Sequence, residues 1–187
     1  MGSILKVESL EIPEIKLIEV YKSGDERGSN IKIFSKEELE KNGIDFSPLE
    51  ILLLHSNKNV LRGLHYQKQC GQSRIISCIR GEVFVAIVDI NDKDCLRKRN
   101  CVFTLKKSNQ YIYIPTGYAL GTYAIEESDI ICMCGEHPFK AKYAAGVRWD
   151  DVNLKIEWPV GNKNVILSEN DNELPDLESL MKELNRV

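Results

Sequence analysis

Residues 74–90, RIISCIRGEVFVAIVDI, decide the fold. Two apolar runs rich in Ile and Val, Arg74–Ile79 and Glu82–Ile90, meet at the glycine of Arg80-Gly81-Glu82. Branched side chains on both sides of a glycine turn predict two joined β-strands. Outward from there the same signature returns at short intervals. Ile15–Tyr21, Ile31–Phe34, Glu50–His55, Cys101–Leu105, Tyr111–Pro115, Tyr118–Ile125 and Asp129–Cys134 all read as strands. Many short strands at near-regular spacing predict an all-β sandwich or barrel rather than a parallel sheet. Two short helices complete the reading. One starts at residue 36, with Ser35 and Glu38 placed as a capping box; the other is Asp176–Asn185 at the C-terminus. No repeat, low-complexity stretch or linker breaks the chain, so residues 1–187 read as a single domain.

A second glycine turn, Pro115-Thr116-Gly117, interrupts another strand pair. An RGEV turn followed by a PxG turn is the arrangement of a double-stranded β-helix, the cupin type of jelly roll. Cupins usually bind a metal through histidines before the first turn and after the second. Here the first position offers His65 alone, and Leu120 stands at the second. Three nitrogen or oxygen ligands are therefore lacking and no metal is expected.

The net charge of −3 speaks against a protein that binds nucleic acid electrostatically. No apolar run approaches a membrane span and the N-terminus lacks a signal-peptide pattern, so a soluble cytoplasmic protein with no membrane partner is expected. The six cysteines (Cys70, Cys78, Cys95, Cys101, Cys132, Cys134) follow no zinc-finger or CxxC spacing. They read as free thiols used as small buried hydrophobes. Cys132-Met133-Cys134 puts two thiols on one face of a strand, and metal binding by that pair is the alternative.

The chemistry concentrates in Val60–Gln67, VLRGLHYQ. Arg62 and His65 are three apart in a strand-like run, which splits them across the two faces unless a bulge intervenes; Gly63 between them marks such a bulge. A histidine titrates near neutral pH and can take and return a proton, given a carboxylate that fixes its tautomer. Arg62 could clamp a phosphate. Arg27, in Gly24-Asp25-Glu26-Arg27-Gly28, could do so from a glycine-bounded loop, or the loop could be a solvated turn.

GDERG, VLRGLHYQ, RGEVFVAIVDI, IPTGYALG, VRWDD and IEWP occur in the order and spacing of the dTDP-4-keto-6-deoxyhexose 3,5-epimerase family, which residues 15–172 resemble. The resemblance implies a homodimeric jelly roll without a cofactor. It acts on a nucleotide-diphosphate sugar by moving protons on carbons beside a 4-keto group. A ketone acidifies those carbons because the carbanion spreads onto oxygen, so the site needs a base, an acid and positive charge near that oxygen. The resemblance makes His65 the base and Asp171, in the LSxxD segment Leu167–Asp171, its carboxylate, with Asp150 and Asp151 as fallbacks. It makes Arg27 and Arg62 diphosphate contacts and Arg74 the cation near the keto oxygen. Gln67, beside His65, joins the substrate-contact candidates.

Other positions depart from the family. Its acid is a tyrosine, and an ungapped count from Pro115 to Trp149 puts Met133 there, a residue with no proton to give. A register shift by one would turn Cys132 or Cys134 inward instead. Tyr123 is the preferred aromatic substitute, with Tyr66 and Tyr143 behind it. Leu120 replaces a histidine near the keto oxygen, and Leu52-Leu53-Leu54 replaces a polar stretch. Three readings follow: an epimerase of one carbon, plausibly C3; an epimerase of a different 4-keto sugar nucleotide; or a sugar-nucleotide-binding cupin that has lost catalysis. Trp149 and Trp158 read as packing anchors.

Overall fold

The computed structural model describes residues 4–91, 99–162 and 164–184; Cys95 and most of the basic stretch 96–100 lie outside them. In chain order the described residues form β1 (Ile4–Ser9), β2 (Lys16–Val20), β3 (Lys22–Asp25), β4 (Gly28–Ile31), α1 (Lys36–Lys41), β5 (Pro48–Ser56), β6 (Leu61–Gln67), β7 (Arg74–Arg80), β8 (Val83–Asp89), β9 (Asn100–Leu105), β10 (Gln110–Ile114), β11 (Tyr118–Ala124), β12 (Ser128–Gly135), β13 (Ala144–Gly146), α2 (Glu169–Asn172) and α3 (Leu177–Leu184). Two sheets dominate, in the orders β1-β2-β10-β7-β12-β5 and β13-β6-β11-β8-β9, with β3-β4 as a separate ribbon.

The strands of 74–90 are not hydrogen-bonded to one another. β7 lies in the six-stranded sheet and β8 in the five-stranded one, so the Arg80-Gly81-Glu82 turn carries the chain between sheets. Pro115-Thr116-Gly117 makes the same crossing from β10 to β11. Gly81 and Gly117 have φ of +86° and +89°, and a Cβ on either would collide with its surroundings, so these corners require glycine. Two sheets exchanging strands at such corners make the expected jelly roll.

Side-chain alternation sorts the residues into three layers. Between the sheets, Ile76 and Cys78 of β7 meet Val83, Val85 and Ile87 of β8 and Ile130 of β12. On the outer face of the five-stranded sheet, Phe84, Ala86, Val88 and Tyr123 are covered by the C-terminal segment, including Leu177, Leu180 and Met181 of α3. On the outer face of the six-stranded sheet, Ile18, Ile75, Tyr111 and Met133 are covered by Leu39 of α1 and by Ile44 and Phe46. Strands such as β8 are buried on both faces, which is why they read as continuous apolar runs.

Three local expectations differ. Ile31–Phe34 is not a strand; the ladder runs earlier, pairing Lys22–Asp25 with Gly28–Ile31, and Phe34 packs edge-on against Phe46 at 6.3 Å. Ser35 takes the extended N-cap backbone, but its side chain makes no capping bond. The Glu38 carboxylate instead lies 3.6 Å from Lys41. The edge strand β1 and the short β13 carry apolar signals too weak to read as strands.

Candidate active site

His65 reaches the barrel interior through a bulge. In the β6–β11 ladder, Leu120 pairs with His65 and Thr122 with Arg62, so β6 carries one extra residue. That extra residue shifts the alternation and turns both Arg62 and His65 toward one cavity. Gly63 makes it possible. Its φ is +107°, and a Cβ there would sit 2.5 Å from the Leu120 carbonyl oxygen.

The cavity opens between the two sheets with a volume of about 610 Å³. His65, Arg62 and Gln67 of β6, Leu120 and Thr122 of β11, Arg74 of β7, Cys132 of β12 and Asp171 of α2 all line it.

The His65 imidazole is 48% exposed, whereas the Asp171 side chain is 6% exposed. Nε2 of His65 lies 2.6 Å from Oδ1 of Asp171. The same oxygen accepts the Gly63 N–H at 3.3 Å. Oδ2 accepts the Ser168 hydroxyl at 2.8 Å, and that hydroxyl, at the N-cap of α2, accepts the Asp171 N–H at 3.1 Å. Burial works to raise the Asp171 pKa, but the hydrogen bonds from His65, Ser168 and Gly63 outweigh it and hold the carboxyl below its ordinary 3.8. An ionised Asp171 fixes the proton on Nε2 and leaves the Nδ1 lone pair as the basic position of the ring. The fallback carboxylates are engaged elsewhere: Asp150 pairs with Arg148, and Asp151 accepts the N–H groups of Asn153 and Leu177.

Arg74 extends from the six-stranded sheet to donate from Nη1 to the His65 carbonyl at 3.2 Å, which sets a cation on the cavity wall beside the base. Arg62, on β6 with His65, also lines the cavity and is braced by the Ser56 hydroxyl and the His55 carbonyl, both at 3.0 Å. The Gln67 amide donates to the Cys70 carbonyl at 2.9 Å and accepts the Lys140 N–H at 2.6 Å, so its hydrogen bonds tie two loops together at the cavity edge.

Other expected positions stand outside the cavity. Arg27 does not line the cavity. It sits at the tip of the β3–β4 hairpin, 85% exposed and paired with Asp25, because the Glu26-Arg27 turn projects both side chains into solvent. Met133 faces the opposite side of β12 and is 1% exposed among Phe46, Ile75 and Tyr111. The cavity side of β12 is taken by Cys132 instead. Tyr123 also points away from the cavity and donates its hydroxyl to Asn59 Oδ1 at 3.0 Å. Trp149 and Trp158 pack on each other, with ring centroids 6.3 Å apart. Ser168 was missed as a supporting residue, although Ser168-x-x-Asp171 is a readable helix-cap spacing. Among the described residues, no three His, Cys, Asp or Glu side chains gather into a metal-binding set. Nor is any described helix long and apolar enough to cross a membrane.

A family model described as dTDP-4-dehydrorhamnose 3,5-epimerase matches residues 9–179. The chain belongs to the dTDP-4-dehydrorhamnose 3,5-epimerase family. Two relatives bearing that family name illustrate the likeness. The chain is 30% identical to the Methanothermobacter thermautotrophicus protein, over 79% of this chain and 80% of the relative. To the Escherichia coli K12 protein it is 28% identical, over 95% of this chain and 97% of the relative. Among solved structures, the dTDP-6-deoxy-D-glucose-3,5-epimerase of Legionella pneumophila in complex with dTDP-4-keto-L-rhamnose superposes with a TM-score of 0.86 at 30% identity, covering 96% of each chain. The Bacillus anthracis dTDP-4-dehydrorhamnose 3,5-epimerase with TDP and PPi bound gives 0.84 at 29% identity, covering 91% of this chain and 98% of its own. Family membership agrees with the jelly roll.

Proposed function

We propose that this chain inverts a carbon beside the keto group of a nucleotide-diphosphate-linked 4-keto sugar, with His65 as base and Asp171 as the carboxylate that orients it. The observation that carries the reading is the 2.6 Å contact between His65 Nε2 and Asp171 Oδ1 at the wall of a cavity large enough for a sugar. Nδ1 removes the proton, the electron pair moves onto the keto oxygen, and the imidazolium is balanced by the buried carboxylate. Arg74 supplies the positive charge that an enolate oxygen requires, Arg62 suits a diphosphate, and Gln67 shapes the sugar-side wall. The proton leaves and returns, so electrons balance without a redox cofactor.

The single-domain reading of residues 1–187 is supported by α3, which packs against the sheet that carries His65. A homodimer is supported by the edge strand β5, where Leu49, Ile51 and Leu53 are 57%, 64% and 67% exposed along one face. Arg27 can contact a ligand near His65 only as part of such an assembly or after its hairpin moves. The buried free thiols Cys78, Cys101, Cys132 and Cys134 suit a reducing compartment, and the cytoplasm is the location proposed.

The test is incubation with a dTDP-linked 4-keto-6-deoxyhexose in heavy water. Deuterium entering at C3, C5 or both supports the reading. Binding without exchange, across the 4-keto sugar nucleotides offered, contradicts it and favours a non-catalytic binder.

A further inference from the structure

Removing a proton and returning it from the same side leaves a sugar unchanged; inversion needs a donor on the other face of the enolate. His65 stands on the five-stranded sheet, and the facing six-stranded sheet forms the opposite side of the cavity. On that side of the cavity, β5, β7 and β12 contribute Leu54, Arg74, Ile76 and Cys132. Leu54 and Ile76 have no proton to give, and a guanidinium does not release one. The Cys132 thiol remains. The walls it bridges are close, since the Arg74 side chain starts on β7, paired in register with Cys134, and ends on the carbonyl of His65.

We propose that Cys132 is the proton donor facing His65 across the cavity, and that it inverts the carbon His65 has deprotonated. This rests on the epimerase reading above. His65 Nδ1 takes the proton, and the C–H electron pair passes to the keto oxygen. The Cys132 S–H bond then breaks, its proton bonds to the same carbon from the opposite side, and the sulfur keeps the pair. The products are the epimer, an imidazolium and a thiolate, and both groups reset by proton exchange with water.

The surroundings suit this cycle. Cys132 Sγ lies 3.8 Å from Cys134 Sγ on the same strand face. The hydrogen bond to Cys134, reinforced by burial, pushes the Cys132 thiol well above the usual thiol range and keeps the donor loaded. That same hydrogen bond, with help from Arg74, draws the Cys134 thiol down against its burial. At 3.8 Å Cys134 stands within reach to return a proton to Cys132, while Arg74 screens the transient thiolate.

The experiment follows one dTDP-linked 4-keto-6-deoxyhexose in heavy water by NMR, reading exchange and inversion separately, for wild type, Cys132→Ala and the near-isosteric Cys132→Ser. Wild type is expected to exchange and invert. Both variants are expected to keep His65-dependent exchange and to lose inversion by about 10²-fold or more, the usual range for removing a general acid. Inversion at the wild-type rate in a folded variant overturns the proposal. A wild type that does not exchange at all overturns the epimerase reading beneath it. A merely structural cysteine would lower exchange and inversion together, which also counts against the proposal.

Discussion

Cys132 and Met133 are neighbours in the chain and lie on opposite sides of the six-stranded sheet: the thiol lines the cavity, and the thioether is buried against Phe46 and Tyr111. Met133→Ala therefore opens a hole in the outer layer, far from any substrate. It is expected to cost about 2–5 kcal/mol of folding stability. At a temperature where the variant is folded, its heavy-water exchange rate should match wild type. Denaturant melts and an exchange assay check the two halves. A selective loss of exchange with unchanged stability would place Met133 in the site after all.

Gly63 holds Arg62 and His65 on one wall. Gly63→Ala puts a methyl against the Leu120 carbonyl at a φ of +107°. The expected cost is about 1–3 kcal/mol of stability, the usual range for a side chain forced into a disfavoured backbone region. Exchange should fall as well, because relief of the clash moves the bulge that aims His65. An alanine variant with wild-type melting and wild-type exchange would show that the bulge does not depend on this glycine.

Asp171 links the site to acid stability. Its folded-state pKa lies below the ordinary 3.8, so the unfolded chain binds this proton more readily than the folded one. The stabilisation is complete well above pH 3.8 and is lost as the pH falls through and below it. Asp171→Asn removes that contribution. Between about pH 5 and pH 3 its melting temperature should fall less steeply than that of wild type. Parallel slopes would mean that Asp171 is no more acidic folded than unfolded.

The edge strand makes a separate prediction. Ile51→Lys places a charge in the exposed apolar stripe of β5 and should convert a dimer to a monomer in sedimentation while leaving the fold intact. A wild type already monomeric at the same concentration would contradict the proposed dimer.

Most of the fold is readable in the sequence because strand alternation and glycine corners are local signals. Val83–Asp89 and Ser128–Gly135 announce themselves by composition, and Gly81 and Gly117 by the turns only glycine can make. What the residues alone leave open is parity. VLRGLHYQ allows His65 and Arg62 either opposite faces or one, and only the β6–β11 register decides for one. The same one-residue ambiguity misplaces Met133, where counting across the chain from Pro115 to Trp149 cannot tell which side of β12 faces inward. Arg27 is left open for a different reason. GDERG specifies a tight turn, but nothing local says what that turn will stand beside. Ser168 and Asp171 reach His65 through tertiary packing, and that pairing entered the sequence reading only through the family resemblance.

In the proposed reaction His65 moves the proton. The most direct test is deuterium wash-in from heavy water into a dTDP-linked 4-keto-6-deoxyhexose, with wild type and His65→Asn compared at matched folded concentration. The expected result is exchange in wild type and a loss of about 10²–10⁴-fold in the variant, the span a general base contributes. His65→Asn exchanging at the wild-type rate would contradict it.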